Sequence, residues 1–435
     1  MKTIIMAGGR GSRISNLFPD IPKPLIPISN KPVLEWEIES LVEQGFSDII
    51  LTVSYLHEKI EEYFGNGSKW GARIEYYVED YPLGNAGALF YLRNCLGNEP
   101  FLLLNADSVF DVDFKRMLSS HKNSGAQVTL FTHPNSHPYD SGIILTDNDG
   151  FVKSWLTKED LRPKYFKNRV NAGLHVINPC VLDEVAARLE VSNIGKQING
   201  EAVKVDLDRQ ILKPLCGCGK MAVYDSPEYV KDMGTPDRYY AVCSDFEKGI
   251  VKAKNLKNKQ KAIFLDRDGT MNKYVGFLKN ISEMELLEGV TEAIKLINTS
   301  GYLAVVVTNQ PVIARGEVST EELLNIHNKM ETLLADDGAY IDGLYYCPHH
   351  PNSGFEGEVK ELKIECECRK PKPGMILQAA VDFNIDLRNS WMIGDGQNDI
   401  KAGKAAGCHT ALIGSGEYEQ DISADSLYEA IRKIL

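Results

Sequence analysis

The chain has 435 residues, a formal net charge of −12, 43% hydrophobic and 25% charged residues. That length exceeds one ordinary core and fits two domains of about 150–250 residues each, and the composition excludes a disordered chain. The acidic balance disfavours a nucleic-acid or anionic-membrane partner, and no apolar run approaches the about 18 residues that would span a bilayer.

Residues 1–6 faintly resemble a signal peptide, but Gly8-Gly9-Arg10 interrupts the apolar stretch at once, so a buried first strand is expected at 3–7. A helix follows at 32–44, then strands at 49–53, 74–78 and 101–105. Residues 246–260, rich in Lys and Asn, read as a helix end and a linker. The rhythm resumes with strands at 262–265, 303–308, 391–393 and 410–413, and helices at 288–299, 320–334 and 373–383. This alternation predicts the α/β class with mainly parallel sheets. The expected domains are 1–245 and 261–435, joined by 246–260. Nine cysteines are an odd number without a secretory signal, so reduced thiols and a metal site in a cytoplasmic protein are expected.

Directly after the first strand comes Ala7-Gly8-Gly9-Arg10-Gly11-Ser12-Arg13, and Pro22-Lys23-Pro24-Leu25 lies ten residues on. Glycines in such a turn let backbone N–H groups approach phosphate closely, and Arg13 and Lys23 add two cations to one phosphate-sized space. Further along are Leu83-Gly84-Asn85-Ala86-Gly87-Ala88, Leu104-Asn105-Ala106-Asp107-Ser108, Asn171-Ala172-Gly173 and Asp232-Met233-Gly234-Thr235-Pro236. In this order the segments resemble the sugar-phosphate nucleotidyltransferases of the mannose-1-phosphate guanylyltransferase type, over roughly residues 1–240. The resemblance implies a Rossmann-like mixed sheet. It also implies Mg²⁺ held by Asp107 and Asp232, with the triphosphate and sugar phosphate met by Arg13 and Lys23. Ala7, Gly8, Gly9, Gly11, Ser12, Glu79 and Gly84 would complete the nucleotide site, GTP being favoured. Asn171, Gly142 and Lys158 would face the sugar, Lys158 standing where the family usually carries Glu-Lys-Pro.

Asp266-Arg267-Asp268-Gly269-Thr270 follows the strand at 262–265, so two carboxylates project into one crevice. Mg²⁺ there would keep Asp266 ionised as a nucleophile, while Asp268 protonates the leaving oxygen and later activates water. Cys347-Pro348-His349-His350 and Cys366-Glu367-Cys368 form two clips of the kind that close a tetrahedral Zn²⁺ site. Cys347, His349, Cys366 and Cys368 are the expected ligands, with His350 as the substitute for His349. Cys216-Gly217-Cys218 lacks a second pair and reads as structural.

With Thr308-Asn309-Gln310, Ala314-Arg315-Gly316, Cys368-Arg369-Lys370-Pro371 and Gly394-Asp395 added, residues 261–415 resemble the D-glycero-D-manno-heptose 1,7-bisphosphate phosphatases of the haloacid dehalogenase superfamily. The resemblance implies a second Rossmann-like domain with a zinc-binding loop. Thr308 would hold the transferred phosphoryl group, Lys370 would neutralise it, and Asp395 would complete the Mg²⁺ site with Asp266 and Asp268; Asp399 lies nearby. Asn309, Arg315 and Arg369 are the substrate-binding candidates.

Together the halves suggest a bifunctional enzyme of nucleotide-activated heptose synthesis. Two alternatives stay open at this point: a hexose-1-phosphate nucleotidyltransferase joined to a histidinol-phosphate-like phosphatase, and a nucleotide-sensing N-terminal half that regulates the phosphatase.

Overall fold

The computed structural model describes residues 1–9, 13–189, 197–198, 201–202, 204–354 and 356–435. Of the expected nucleotide-binding residues, Gly11 and Ser12 lie outside them. The chain folds into two compact units. One comprises Met1–Thr132, Ile144–Leu156 and Asn171–Asn255; the other comprises His133–Ile143, Thr157–Val170 and Leu256–Leu435.

The first unit is built on a mixed sheet. Its parallel strands are β1 (Lys2–Met6), β2 (Asp48–Val53), β3 (Arg73–Val78) and β4 (Phe101–Asn105), with β1 between β4 and β2. The long strand Val170–Ile177 pairs antiparallel with β4. Side chains along β1 and β4 alternate between two cores. Ile4 and Leu103 enter one, whereas Ile5, Leu102 and Leu104 enter the other. Burial on both faces explains why these strands read as continuous apolar runs rather than alternating ones. Beside this sheet, β5 (Ser108–Asp111) pairs antiparallel with β6 (Tyr229–Asp232), and α1 spans Val33–Glu43.

The stretch expected to be a linker is packed. After the helix Pro236–Glu247 a further turn forms at Ile250–Ala253, and Val251 and Leu256 are buried. Two buried apolar side chains, Val251 and Leu256, anchor this Lys-rich stretch.

The second unit carries a six-stranded, all-parallel sheet. Its strands are β7 (Lys261–Leu265), β8 (Tyr302–Asn309), β9 (Gly343–Cys347), β10 (Trp391–Gly394), β11 (His409–Ile413) and β12 (Ile422–Ala424), in the order β9-β8-β7-β10-β11-β12. Ile263 and Leu265 pack on one face and Ala262 and Phe264 on the other. Helix α2 (Thr320–Asp336) starts at a capping box in which Ser319 and Glu322 satisfy each other's backbone amides.

The same helix holds residues 157–170 within this unit. Arg169 pairs with Glu331 at 3.2 Å, both side chains 5% exposed, and donates to the Asp342 carbonyl. The backbone amides of Asn168 and Phe166 donate to Glu331 and Thr332. Among the described residues no helix is long and apolar enough to cross a membrane.

Candidate active sites

In the first unit the β5–β6 register sets the site. Ser108 lies opposite Asp232, which brings Asp107, just before β5, beside Asp232 at the end of β6. Lys23, in the short turn Lys23–Leu25, places its ammonium 3.0 Å from Asp107 Oδ2 and 3.5 Å from Asp232 Oδ1. The lysine side chain is only 8% exposed. Asp232 also accepts from Arg238 at 2.6 Å and from the Gly234 amide at 2.7 Å. Burial opposes its ionisation, but Lys23, Arg238 and that amide outweigh it and hold the carboxyl below its usual range. A Cβ built on Gly234 would lie 2.9 Å from Asp232 Oδ1 and 3.2 Å from Arg13 Nη2, so Arg13 borders the same space.

Two carboxylates and three cations, Lys23, Arg238 and Arg13, thus meet around one point. The donor set suits a hard divalent ion, since Asp107 and Asp232 already share one cation. At the mouth of β1, Ala7 is buried and its amide donates to Thr52, while a Cβ on Gly9 would meet nothing within 4 Å. The backbone at Gly9 therefore has open space beside it.

Glu79 lies on the loop after β3, where its carboxylate accepts from the Leu83 amide. Burial raises its proton affinity and that amide opposes the rise. Gly84 has φ +83°, and a Cβ there would lie 2.3 Å from the Val205 carbonyl, so only glycine fits. Asn171 stands on the strand Val170–Ile177, its side chain accepting from the Gly173 amide. Gly142 and the exposed Lys158 belong to segments of the second unit instead.

Glu37 was not among the expected site residues. It sits on α1, 1% exposed, with neither carboxylate oxygen hydrogen-bonded. Burial and the charge of Asp107 push its proton affinity well up, and Lys23 pulls the other way. The signal was an acid on the apolar stripe between Leu34, Ile38 and Leu41.

In the second unit the carboxyl ends of three neighbouring parallel strands converge. Asp266 follows β7, Thr308 is near the end of β8, and Asp395 follows β10. One oxygen each of Asp266, Asp395 and Asp399 lies within 4.8 Å of the others. Lys370, 3% exposed, places Nζ 2.7 Å from Asp266 and 2.6 Å from Asp399. Asn309 holds the Lys370 backbone by two hydrogen bonds of 3.0 Å.

Burial lifts the Asp266 carboxyl to about 6, the charges of Asp399 and Asp268 adding to the rise and Lys370 opposing it. Asp395 is raised by burial and by Asp266. Three crowded carboxylates with one lysine among them fit a divalent cation, which would favour the ionised forms of Asp266 and Asp395. Gly269 makes the crowding possible. Its φ is +82°, and a Cβ there would lie 2.0 Å from Asp395 Oδ2.

Asp268, expected beside Asp266 and Asp395 at the metal, has both oxygens engaged elsewhere. Arg267 donates to them at 2.8–3.2 Å, Asn272 at 3.0 Å and Gln310 at 2.9 Å. Asp399 stands in its place in the carboxylate cluster. Thr308 is buried and accepts from Gln310 at 2.9 Å. Arg315 stacks over Phe277 at 4.0 Å, and Arg369 donates to the His349 carbonyl.

Cys347, His349, Cys366 and Cys368 also converge. Their sulfurs are 3.2–3.5 Å apart, and His349 Nδ1 lies 3.6 Å from Cys347 and 3.3 Å from Cys368. A disulfide would need about 2.05 Å. Four donors around one zinc at about 2.3 Å from each sulfur sit somewhat under 4 Å apart, close to what is found. His350 turns to Asn352 and does not join. Cys216 and Cys218 are free thiols, as are the other seven cysteines.

The nucleotidyl transferase family model matches residues 2–249, and a HAD-hydrolase-like model matches 367–431. The D-glycero-beta-D-manno-heptose-1,7-bisphosphate 7-phosphatase of Pasteurella multocida is 45% identical over 159 residues, 36% of this chain and 84% of that protein. The D-glycero-alpha-D-manno-heptose-1,7-bisphosphate 7-phosphatase of Burkholderia mallei is 42% identical over 155 residues, 36% of this chain and 80% of that protein. The crystal structure of HddC from Yersinia pseudotuberculosis is 24% identical, covers 56% of this chain and 99% of its own, and superposes with a TM-score of 0.45. The chain belongs to the nucleotidyl transferase family through residues 2–249 and, through its C-terminal part, to the heptose-1,7-bisphosphate 7-phosphatases.

Proposed function

We propose that the chain is a cytoplasmic, bifunctional enzyme of nucleotide-activated heptose synthesis, with functional domains at 1–245 and 261–435. The C-terminal domain removes the C7 phosphate of D-glycero-D-manno-heptose 1,7-bisphosphate. The N-terminal domain then joins the heptose 1-phosphate to a nucleotide. What chiefly supports the reading is the Asp266–Lys370–Asp399 arrangement, set in a segment that is 45% identical to a heptose bisphosphate phosphatase.

In the first reaction the Asp266 carboxylate attacks the phosphorus of the C7 phosphate, and the bond from phosphorus to the sugar oxygen breaks. Asp268 gives that oxygen its proton. Water then attacks the aspartyl-phosphate, Asp268 takes the water's proton, and inorganic phosphate leaves with Asp266 regenerated. Thr308 and Lys370 hold the phosphoryl oxygens, and Arg315, Arg369 and Asn309 receive the rest of the substrate. Mg²⁺ bound by Asp266 and Asp395, with Asp268 or Asp399, would supply charge neutralisation there. Zinc on Cys347, His349, Cys366 and Cys368 would be structural, because protein fills all four positions.

In the second reaction an oxygen of the sugar 1-phosphate attacks the α-phosphorus of the triphosphate, and the bond to the β-phosphate oxygen breaks with release of pyrophosphate. Arg13 and Lys23 neutralise the phosphates, the backbone at Ala7, Gly8 and Gly9 borders them, and Glu79 and Gly84 shape the nucleoside side. Asn171 contacts the sugar. Mg²⁺ on Asp107 and Asp232 would share the developing charge. GTP is the favoured nucleotide, on the resemblance to mannose-1-phosphate guanylyltransferases.

The test separates the halves. With heptose 1,7-bisphosphate supplied for phosphate release and heptose 1-phosphate supplied for pyrophosphate release, Asp107→Asn should abolish pyrophosphate release and leave phosphate release intact, and Asp266→Asn should do the reverse. Loss of both activities in either variant would contradict two independent centres.

A further inference from the structure

The interior of the second unit contains an arginine that the proposed reaction does not use. Arg267 separates Asp266 from Asp268, and its side chain is fully buried. Nε and Nη2 donate to the Asp268 carboxylate, and Nη2 also reaches Gln310 Oε1 at 3.1 Å. Gln310 in turn donates to both Asp268 Oδ2 and Thr308 Oγ1 at 2.9 Å. The guanidinium and the amide thus form one plate that fixes Asp268 relative to Thr308.

The free edge of that plate is held from outside the site. Nη1 lies 3.1 Å from Nε2 of His327, which is 3% exposed on the buried side of α2, among Leu323, Ile326 and Met330. A guanidinium has only donors, so Nε2 must accept, and the ring carries its proton on the other nitrogen. Burial and the charge of Arg267 both disfavour a protonated ring, in keeping with that assignment. Tyr346 packs against the imidazole with ring centroids 5.7 Å apart.

A histidine on an apolar helix face is ordinarily just part of the core. Here its one assigned hydrogen bond satisfies a buried cation that would otherwise have an open donor edge in the interior, a costly state relieved by turning the guanidinium away. Such a turn would release Asp268 and Gln310 together.

We propose that His327 is a positioning residue of the phosphatase, holding Arg267 so that Asp268 and Gln310 stay aligned with Thr308. This rests on the phosphatase reading above and concerns the chemical step rather than binding, because His327 is buried behind Arg267.

The test compares the full-length wild type with His327→Leu, which removes the acceptor, and His327→Gln, which keeps one at a similar reach. Phosphate release is followed with heptose 1,7-bisphosphate and with p-nitrophenyl phosphate. Expected for His327→Leu is a fall in kcat of tenfold or more with KM within twofold, pyrophosphate release being unchanged; His327→Gln should recover kcat to within threefold. Wild-type kcat in His327→Leu overturns the proposal. So does a tenfold loss in His327→Gln at an unchanged unfolding temperature, and that variant alone decides if His327→Leu is too unstable to assay. A wild-type chain inactive on both substrates would refute the phosphatase reading and this role with it. Activity on p-nitrophenyl phosphate alone would sink only the heptose assignment.

Discussion

Lys370 places its ammonium 2.7 Å from Asp266 Oδ1, in a pocket where the lysine is 3% exposed. Burial alone would favour a neutral amine, but Asp266 and Asp399 hold the proton on Lys370 more firmly than usual. The lysine is therefore a fixed positive charge beside the nucleophile. Lys370→Met should lower kcat for phosphate release by about 10²–10³, the scale seen when one preorganised charge is lost from a transition state. It should also destabilise the second unit by about 3–5 kcal/mol, because two buried carboxylates lose their cation. Urea unfolding with and without Mg²⁺ checks the second effect, and added Mg²⁺ should recover part of it.

The second unit includes residues 157–170, and Glu331 on α2 is paired there with Arg169. A polypeptide of residues 256–435 lacks that arginine and leaves Glu331 without its ion-pair partner. It should unfold at a lower urea concentration than the same unit in the full chain. Glu331→Gln should narrow the gap, since a neutral amide costs less to leave unpaired than a carboxylate.

His175 lies on the strand Val170–Ile177 opposite Leu103, wholly buried, and burial lowers its proton affinity to about 4. The unfolded chain binds a proton there below about 6.5 whereas the folded chain stays neutral. Stability from this residue is therefore complete above about 6.5 and lost as pH falls towards 4. The loss is about 1.4 kcal/mol per pH unit, hence about 2 kcal/mol between pH 6.5 and 5. His175→Met should remove that increment, measured as the difference between variant and wild type in urea unfolding at the two pH values.

Removing the Cys347–His349–Cys366–Cys368 donor set tests the zinc assignment. Metal analysis of the purified chain should give one zinc, and Cys366→Ser should lose it. Wild type treated with a strong chelator should melt earlier than untreated protein, and adding zinc should reverse the change. A chain without zinc, whose melting is indifferent to the chelator, would count against the site.

Much of both sites was legible because the informative residues sit at strand ends. Asp266, Thr308 and Asp395 each end an apolar run, and parallel neighbours bring such ends together whatever the helices between them do. The Cys-x-His and Cys-x-Cys clips were readable for a similar reason, since each clip is local and only one loop has to close. Pairings across long separations were not readable. Arg267 and His327 are 60 positions apart, and nothing in Ile326-His327-Asn328 distinguishes a core histidine from one aimed at an arginine. The grouping of residues 157–170 with α2 was hidden likewise, because Arg169 and Glu331 look like ordinary surface charges until their burial is known. Glu37 was within reach, lying on the apolar stripe of α1, where a carboxylate needs an explanation.

The most direct test of the account is a phosphorus NMR time course of the full chain with Mg²⁺, GTP and each anomer of D-glycero-D-manno-heptose 1,7-bisphosphate. With one anomer, inorganic phosphate should appear first, followed by pyrophosphate and a nucleotide-diphosphate sugar in matching amounts. Asp266→Asn should stop both, and heptose 1-phosphate should restore the second to that variant. Inorganic phosphate without any nucleotide sugar, from either anomer and with each of the four nucleoside triphosphates, would contradict it.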